Sequence, residues 1–289
     1  QQQFAAPAWW ALALAVAGAT WVLLPRAVPA RWTALVLMLP LLCADREPIA
    51  RGAFEVQVIV VGQGLSVLLR TRSHAMLYDA GARYPSGFDL GRAAVLPSLH
   101  ALGVRRLDLL VIRHGDNDHA GGAEAVAAAF PRARQLAGEP ERSGPGARQC
   151  EHGQHWDWDG VAFDVLSPDA APPGQESGEN DRSCVLLVSG SAGRLLLTGD
   201  IGRRIEPAVA ARVPSGPPLV LVVPHHGSRS SSSAAFVHAL APAAALVSAA
   251  WRSRFGHPHA EVVARYRQAG IPLWNTADSG SLALAFPGD

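Results

Sequence analysis

An α/β fold is what the sequence predicts, on three observations. Short apolar runs of strand length recur and are broken by Gly, Pro and Asp; Ala-rich stretches of helical length lie between them; and several runs end in a ligand, an acid or a base. At 289 residues and 49% hydrophobic, the chain can bury a sizeable core and is not disordered.

The elements follow in order. Residues 8–24 carry no charge over 17 positions, and residues 32–43 none over 12. The first run is at the lower limit of a bilayer span and the second is shorter. Trp9, Trp10, Trp21 and Trp32 sit near their ends, as interfacial aromatics do. We expect one or two N-terminal transmembrane helices in a segment 1–45, the end of a larger membrane protein, ahead of a domain 46–289. A signal peptide is the competing reading, but no basic n-region precedes the first run and a second apolar run follows it. Arg26 and Arg31 between the runs put that loop in the cytoplasm by the positive-inside rule, and the domain on the other side.

Strands 54–61 and 65–71 are joined at Gly62-Gln63-Gly64, read as a tight hairpin because no helix follows to cradle a phosphate. The run 107–112 leads into His114-Gly115-Asp116-Asn117-Asp118-His119, four ligands in six positions, and then through Gly121-Gly122 into a helix-like stretch, 124–130. Neighbouring strand residues face opposite ways, so bringing these ligands together needs a bend. The alternative is a polar loop in which Asp118 caps the next helix. Strand 161–166 precedes strand 185–188, and the run 194–198 ends in Gly199-Asp200. The run 219–224 ends in His225-His226-Gly227-Ser228, and 243–249 is followed by Trp251 through His259. Such endings suggest that one edge of a sheet carries the chemistry. Helices are expected at 203–212, 233–241 and 259–269, and surface loops at 137–155 and 168–182. Trp156 and Trp158 are read as packing residues.

Taken together, Asp79-Ala80-Gly81, the His114-to-His119 cluster, Thr198-Gly199-Asp200 and His225-His226-Gly227-Ser228 resemble the metallo-β-lactamase superfamily in kind and order. Within it, Val61-Gly62-Gln63-Gly64, Asn180-Asp181-Arg182-Ser183-Cys184 and Phe255-Gly256-His257-Pro258 are similar to the C-terminal domain of the ComEC family of DNA-internalisation channels. The resemblance covers about residues 54–287. It implies an αββα sandwich of two sheets flanked by helices. It also implies two divalent ions, one on Asp118, His119 and His225, the other on His114 and Asp116, with Asp200 between them. Asp79 would orient a ligating histidine. Asp116 stands where many members carry a second histidine, and no histidine occupies the third motif, where Asn180 and Ser183 stand. The His114/Asp116 ion site is thus oxygen-rich and short of ligands, which favours Mn over Zn in relative terms and makes one ion the weaker bound.

Two ions roughly 3.5–4 Å apart can activate water and clamp the oxygens of a phosphoryl displacement. The expected activity is therefore phosphodiester hydrolysis, with Asp118 and Asp200 at the reacting centre, His226 and the Asn180/Ser183 loop on the phosphate and His257 as general acid. Ser228, Arg229 and Arg254, with Arg252, are the candidate phosphate contacts. His257 and His259 have an alternative reading as a turn that starts a helix at Ala260, and His74, His100, His152, His155 and His238 lack comparable company. The resemblance implies a nuclease that degrades one strand of incoming DNA at the bacterial inner membrane, on its periplasmic side. Its partners would be the single strand, the channel domain of the same full-length protein and other uptake components. A catalytically degenerate DNA-guiding module, or a phosphodiesterase or other hydrolase with a small substrate, are the alternatives.

A net charge of +1, with all 25 basic residues Arg, supplies no global electrostatic footprint for nucleic acid, so any grip must be local. Cys43, Cys150 and Cys184 show no C-x-x-C spacing. Three thiols are expected, with a Cys150–Cys184 bond open to an oxidising compartment.

Overall fold

The computed structural model of the protein describes residues 9–25, 31–42, 48–144, 146–170 and 178–288. Its contacts separate two units, Gln1–Pro48 and Ile49–Asp289.

The second unit holds two seven-stranded sheets. The first is built, in spatial order, from β14 (Leu282–Phe286), β1 (Phe54–Val58), β2 (Val67–Arg70), β3 (Ala75–Tyr78), β4 (Leu109–Ile112), β5 (Arg134–Ala137) and β6 (Arg148–Gln149). The other runs β13 (Leu273–Asn275), β12 (Ala244–Val247), β11 (Leu219–Val222), β10 (Arg194–Leu197), β9 (Val185–Ser189), β8 (Val161–Ser167) and β7 (His155–Trp158). In each, outer antiparallel strands give way to a parallel stretch: β3 to β6 in the first, β10 to β13 in the second.

Continuous apolar strands such as β4, β10 and β11 follow from burial on both faces. Leu195 and Leu197 point into the core between the sheets with Val111, Tyr78, Phe163 and Val222, whereas Leu196 faces the opposite way with Leu221 and Val247. Leu110 and Ile112 likewise turn outward, onto Val95, Leu99 and Val126. Helices Leu96–Ala101 and Ala123–Ala129 cover the first sheet, and Glu206–Arg212, Ala234–Leu240 and Ala260–Gln268 supply the outer layer on the second. This is the αββα sandwich. Trp156 stacks on Phe163 with ring centroids 5.2 Å apart, a packing role for an aromatic of β7.

Three expectations are corrected. The ligand-bearing strand ends do not line one sheet edge: Asp79 and the 114–119 cluster follow β3 and β4 of the first sheet, while Asp200, His225 and His226 follow β10 and β11 of the second. No helix among the described residues is long and apolar enough to cross a membrane. The first apolar run forms Trp9–Leu23, whose 15 residues reach about 22 Å at 1.5 Å per residue, short of a roughly 30 Å hydrocarbon layer. The second is divided into a 3-10 turn, Arg31–Met38, and a short helix, Leu39–Leu42, that contains Pro40. Finally, Cys150 and Cys184 are bonded, with Cα atoms 5.7 Å apart, so they are not free thiols. Cys43, Arg26 and residues 171–177 of the expected 168–182 loop lie outside the described residues.

Candidate metal centre

The centre lies where the ends of β3, β4, β10 and β11 meet across the sandwich. After β4 the chain makes one helical turn, Asn117–Ala120, with Asp116 at its N-cap, which carries Asp118 and His119 inward. The turn is held close by glycines: a Cβ on Gly64 would meet the Asp118 carbonyl oxygen at 2.4 Å, and one on Gly122 the Ala80 oxygen at 2.2 Å. Gly62-Gln63-Gly64 is therefore more than a hairpin turn, because it presses directly on the ligand loop. After β11, His225 and His226 both adopt left-handed backbone, φ 51° and 54°, ahead of Gly227. That rare pair of conformations costs on the order of 1–3 kcal/mol per residue and swings adjacent imidazoles in different directions.

One group of donors converges among the described residues: Asp118, His119, Asp200 and His226, whose ligand atoms all lie within 4.8 Å of one another. Asp118 Oδ2 is 3.1 Å from His119 Nε2 and 3.6 Å from His226 Nε2, and Asp200 Oδ2 is 3.3 Å from His119 Nε2. Donors bound at about 2.1 Å to a tetrahedral ion stand roughly 3.4 Å apart, so these separations suit one divalent cation. The tautomers agree with this. His226 Nδ1 donates to the Ser248 carbonyl at 2.8 Å, and His119 Nδ1 faces Asp79 Oδ2 at 3.3 Å, so in both rings Nε2 is turned to the centre.

Arg113, which carries no motif in the sequence, is the largest fully buried side chain among the described residues. Its Nη1 lies 2.7 Å from Asp200 Oδ1 and its Nε 2.9 Å from Asp79 Oδ2. Both contacts are close but poorly aligned, so Asp200 Oδ1 and Asp79 Oδ2 are ion-paired without a hydrogen bond. The only signal in the sequence is a charged residue at the end of an apolar strand.

Charge is the dominant physical fact here. Three carboxylates, Asp79, Asp118 and Asp200, share the centre with one guanidinium, which contacts Asp79 and Asp200. Burial works against ionised Asp200, yet Arg113, His119 and His226 hold its carboxyl well below the usual range; Asp118 is likewise held low against partial burial by His119 and His226. Burial and Arg113 oppose a charge on His119, but Asp200 and Asp118 carry its pKa up to about 10. A centre that draws a proton onto a fully buried imidazole is short of positive charge, which a divalent cation would supply.

The other expected residues fall elsewhere. His225 is half-buried, with Nδ1 3.3 Å from Ser230 Oγ, outside the converging group. His114 presents Nε2 to Asp200 Oδ2 at 3.4 Å and Nδ1 to Asp116 Oδ2 at 3.5 Å, so the two carboxylates lie at opposite edges of its ring. Asp116 is also paired with Arg142 at 3.1 Å. Ser183 is buried and its Oγ accepts from the Asp200 amide at 3.0 Å, so it fixes the Gly199-Asp200 turn from behind; Asn180 closes the preceding turn by accepting from the Ser183 amide through its carbonyl. Ser228 hydrogen-bonds Ser230, and Arg229 is engaged by Glu261 and His259. His257 stands 3.4 Å from Gln63 Nε2 and stacks at 6.3 Å from His226; burial, then His226 and His225, push its pKa down to about 4.

A cavity of about 710 Å³ opens beside Asp118, lined by Gln63, Arg83, Tyr84, Arg252, Arg254 and Phe255 among others. Arg254 lies over the Phe255 ring at 4.7 Å and Arg252 over Trp251 at 4.3 Å. This local cluster supplies what the net charge of +1 does not.

Comparison with known proteins agrees with the architecture. The family model of the Metallo-beta-lactamase superfamily matches residues 59–251. Competence protein ComA of Neisseria gonorrhoeae is 39% identical over 274 residues, 94% of this chain and 38% of that protein. Recombination protein 2 of Haemophilus influenzae is 32% identical over 241 residues, 83% of this chain and 30% of that protein. The chain thus spans about a third of the length of these curated relatives. Among solved structures, the metallo-beta-lactamase fold protein YhfI from Bacillus subtilis superposes with a TM-score of 0.51 at 10% identity, over 81% of this chain and 99% of that one. CmlA, a diiron beta-hydroxylase from Streptomyces venezuelae, gives 0.53 at 14% identity, over 86% of this chain and 57% of that one. The chain belongs to the metallo-beta-lactamase superfamily, with ComEC-type competence proteins among its curated relatives.

Proposed function

We propose that this domain is a metal-dependent nuclease that hydrolyses single-stranded DNA during uptake. The observation that carries the reading is the convergence of Asp118, His119, Asp200 and His226 beside a groove lined with arginine and aromatic side chains. Those four would hold a divalent cation, and two carboxylates with two imidazoles suit Mn or Zn. When bound, the ion supplies Lewis-acid activation of water and neutralises phosphoryl charge.

The chain's own groups do the rest. Asp118, a third exposed toward the groove, can orient the attacking water through its second oxygen. Arg83, Arg252 and Arg254 offer guanidinium forks to phosphate oxygens, and Tyr84 and Phe255, about half exposed, offer faces on which bases stack. His257 is neutral at pH 7 in the free protein, so it lacks the ready proton expected of a general acid. A bound phosphodiester anion raises its proton affinity, which lets it serve the leaving oxygen only once substrate is in place.

The Cys150–Cys184 bond supports an extracytoplasmic setting, because such bonds persist in oxidising compartments. Exposed Trp9, Trp10, Val16 and Leu23 on the first helix support contact with lipid or with a channel domain of the full-length protein. We place the domain accordingly at the outer face of the bacterial inner membrane, alongside other uptake components. A DNA-guiding module without hydrolysis is the second reading, favoured by the engagement of Asp116 with Arg142.

The test is cleavage of labelled single-stranded DNA by the purified chain. Wild type cuts with Mn and stops on chelation, and Asp200→Ala and Asp118→Ala do not cut. Binding without cleavage in wild type would favour the guiding module, and equal cutting by the variants would trace the activity to a contaminant.

A further inference from the structure

A buried arginine is costly unless its charge is matched on every side. Arg113 is 2% exposed; its Nη1 and Nε are directed at Asp200 and Asp79, and its Nη2 lies 3.2 Å from His226 Nε2 and 2.5 Å from His119 Nε2, contacts that give way when an ion takes those two nitrogens and leave Arg113 held by the two carboxylates. The guanidinium thus addresses the same residues that surround the candidate ion. Asp200 divides its two oxygens between them: Oδ1 faces Arg113 at 2.7 Å, and Oδ2 faces His119 and His114 at 3.3 and 3.4 Å.

We propose that Arg113 is the fixed second cation of a one-ion centre, its guanidinium standing on Asp200 Oδ1 in place of a second metal ion. This rests on the metal reading given above and deepens it. Asp200, expected to bridge two ions, here bridges one ion and one side chain.

Two independent considerations agree. The first is donor supply. His114 and Asp116 supply at most two donors to a second ion, and the third within reach, Asp200 Oδ1, is held by Arg113, so no second group of three donors forms among the described residues. The second is charge. Asp79, Asp118 and Asp200 contribute three negative charges and Arg113 one positive, leaving two, which a single divalent ion balances. With Asp116 already paired with Arg142, a second ion would leave two uncompensated positive charges in a largely buried centre, a costly arrangement. A guanidinium is always charged and needs no loading, so part of the positive charge of the centre is present at any metal concentration. It also accounts for why a chain lacking the third-motif histidine keeps Asp200 and Asp79 buried together.

The experiment counts Mn bound to the purified chain by elemental analysis after equilibrium dialysis, with the Mn electron spin resonance spectrum recorded on the same samples. Wild type is expected to hold one equivalent with an uncoupled spectrum, Arg113→Lys one, and Arg113→Ser a second equivalent whose spectrum shows coupling. Two equivalents in wild type, or one in an Arg113→Ser protein whose circular dichroism and melting are those of a folded chain, would overturn the proposal. Should Arg113→Ser not fold, the wild-type and Arg113→Lys counts still decide. No bound Mn in wild type would end the metal reading itself, an outcome distinct from a count of two.

Discussion

His226, rather than its neighbour His225, turns inward because two successive left-handed residues rotate the pair and the Ser248 carbonyl catches Nδ1. A motif of adjacent histidines offers both imidazoles equally; which one reaches the centre depends on a backbone conformation that sequence does not encode locally. The prediction at this scale is direct. His226→Ala should weaken Mn affinity by more than the roughly 100-fold upper range for outer partners, and His225→Ala by less, as read by isothermal titration calorimetry. Asp79→Asn should cost about 10–100-fold in the same measurement, since it loosens His119 without removing a donor. Asp118, His119 and Asp200 were legible from motif order. Arg113 was not, because a lone charge after an apolar run more often reads as the start of a loop.

Among the elements, several apolar strands and the Ala-rich helices announced themselves by composition and run length, and β4, β10, β11 and β12 lie within a residue or two of their expected bounds. Several of those that went unread are short or half polar: β5 is Arg134–Ala137, β6 has two residues, and β13 is Leu273–Asn275; the apolar β3 and β14 also went unread. Their burial comes from neighbours in the sheet, which no local pattern reports. The disulfide is an element-scale device: it joins the segment after β6 of one sheet to the segment before β9 of the other, and the Cys184 amide donates to the Arg113 carbonyl at 3.0 Å. Closing a loop of 34 residues stabilises the fold by about 3–4 kcal/mol in the chain-entropy account. Cys184→Ser should lower the unfolding free energy by that amount in denaturant titration, and reduction of the wild type should do the same.

At the scale of the whole molecule, stability and substrate grip follow from how the two sheets bring their loops together. His257 has its pKa pushed down from 6.5 to about 4, so the unfolded chain takes up its proton first as the pH falls. The folded state therefore loses stability between about pH 6.5 and 4 and gains nothing further above that window. His257→Gln should flatten this part of the stability profile, measured by denaturant midpoints across the range. In the groove, Phe255→Ala should weaken binding of a single-stranded oligonucleotide by about 1–3 kcal/mol in fluorescence anisotropy without changing Mn affinity, because the ring offers a stacking face and no donor.

The central claim is that four side chains from three separate stretches of the sequence hold one cation. Anomalous scattering from crystals grown with Mn tests it most directly. The account predicts a single strong peak within bonding distance of Asp118, His119, Asp200 and His226, with the Arg113 guanidinium still on Asp200. A peak coordinated instead by His114, Asp116 or His225, or no peak at all in an otherwise ordered centre, would contradict it.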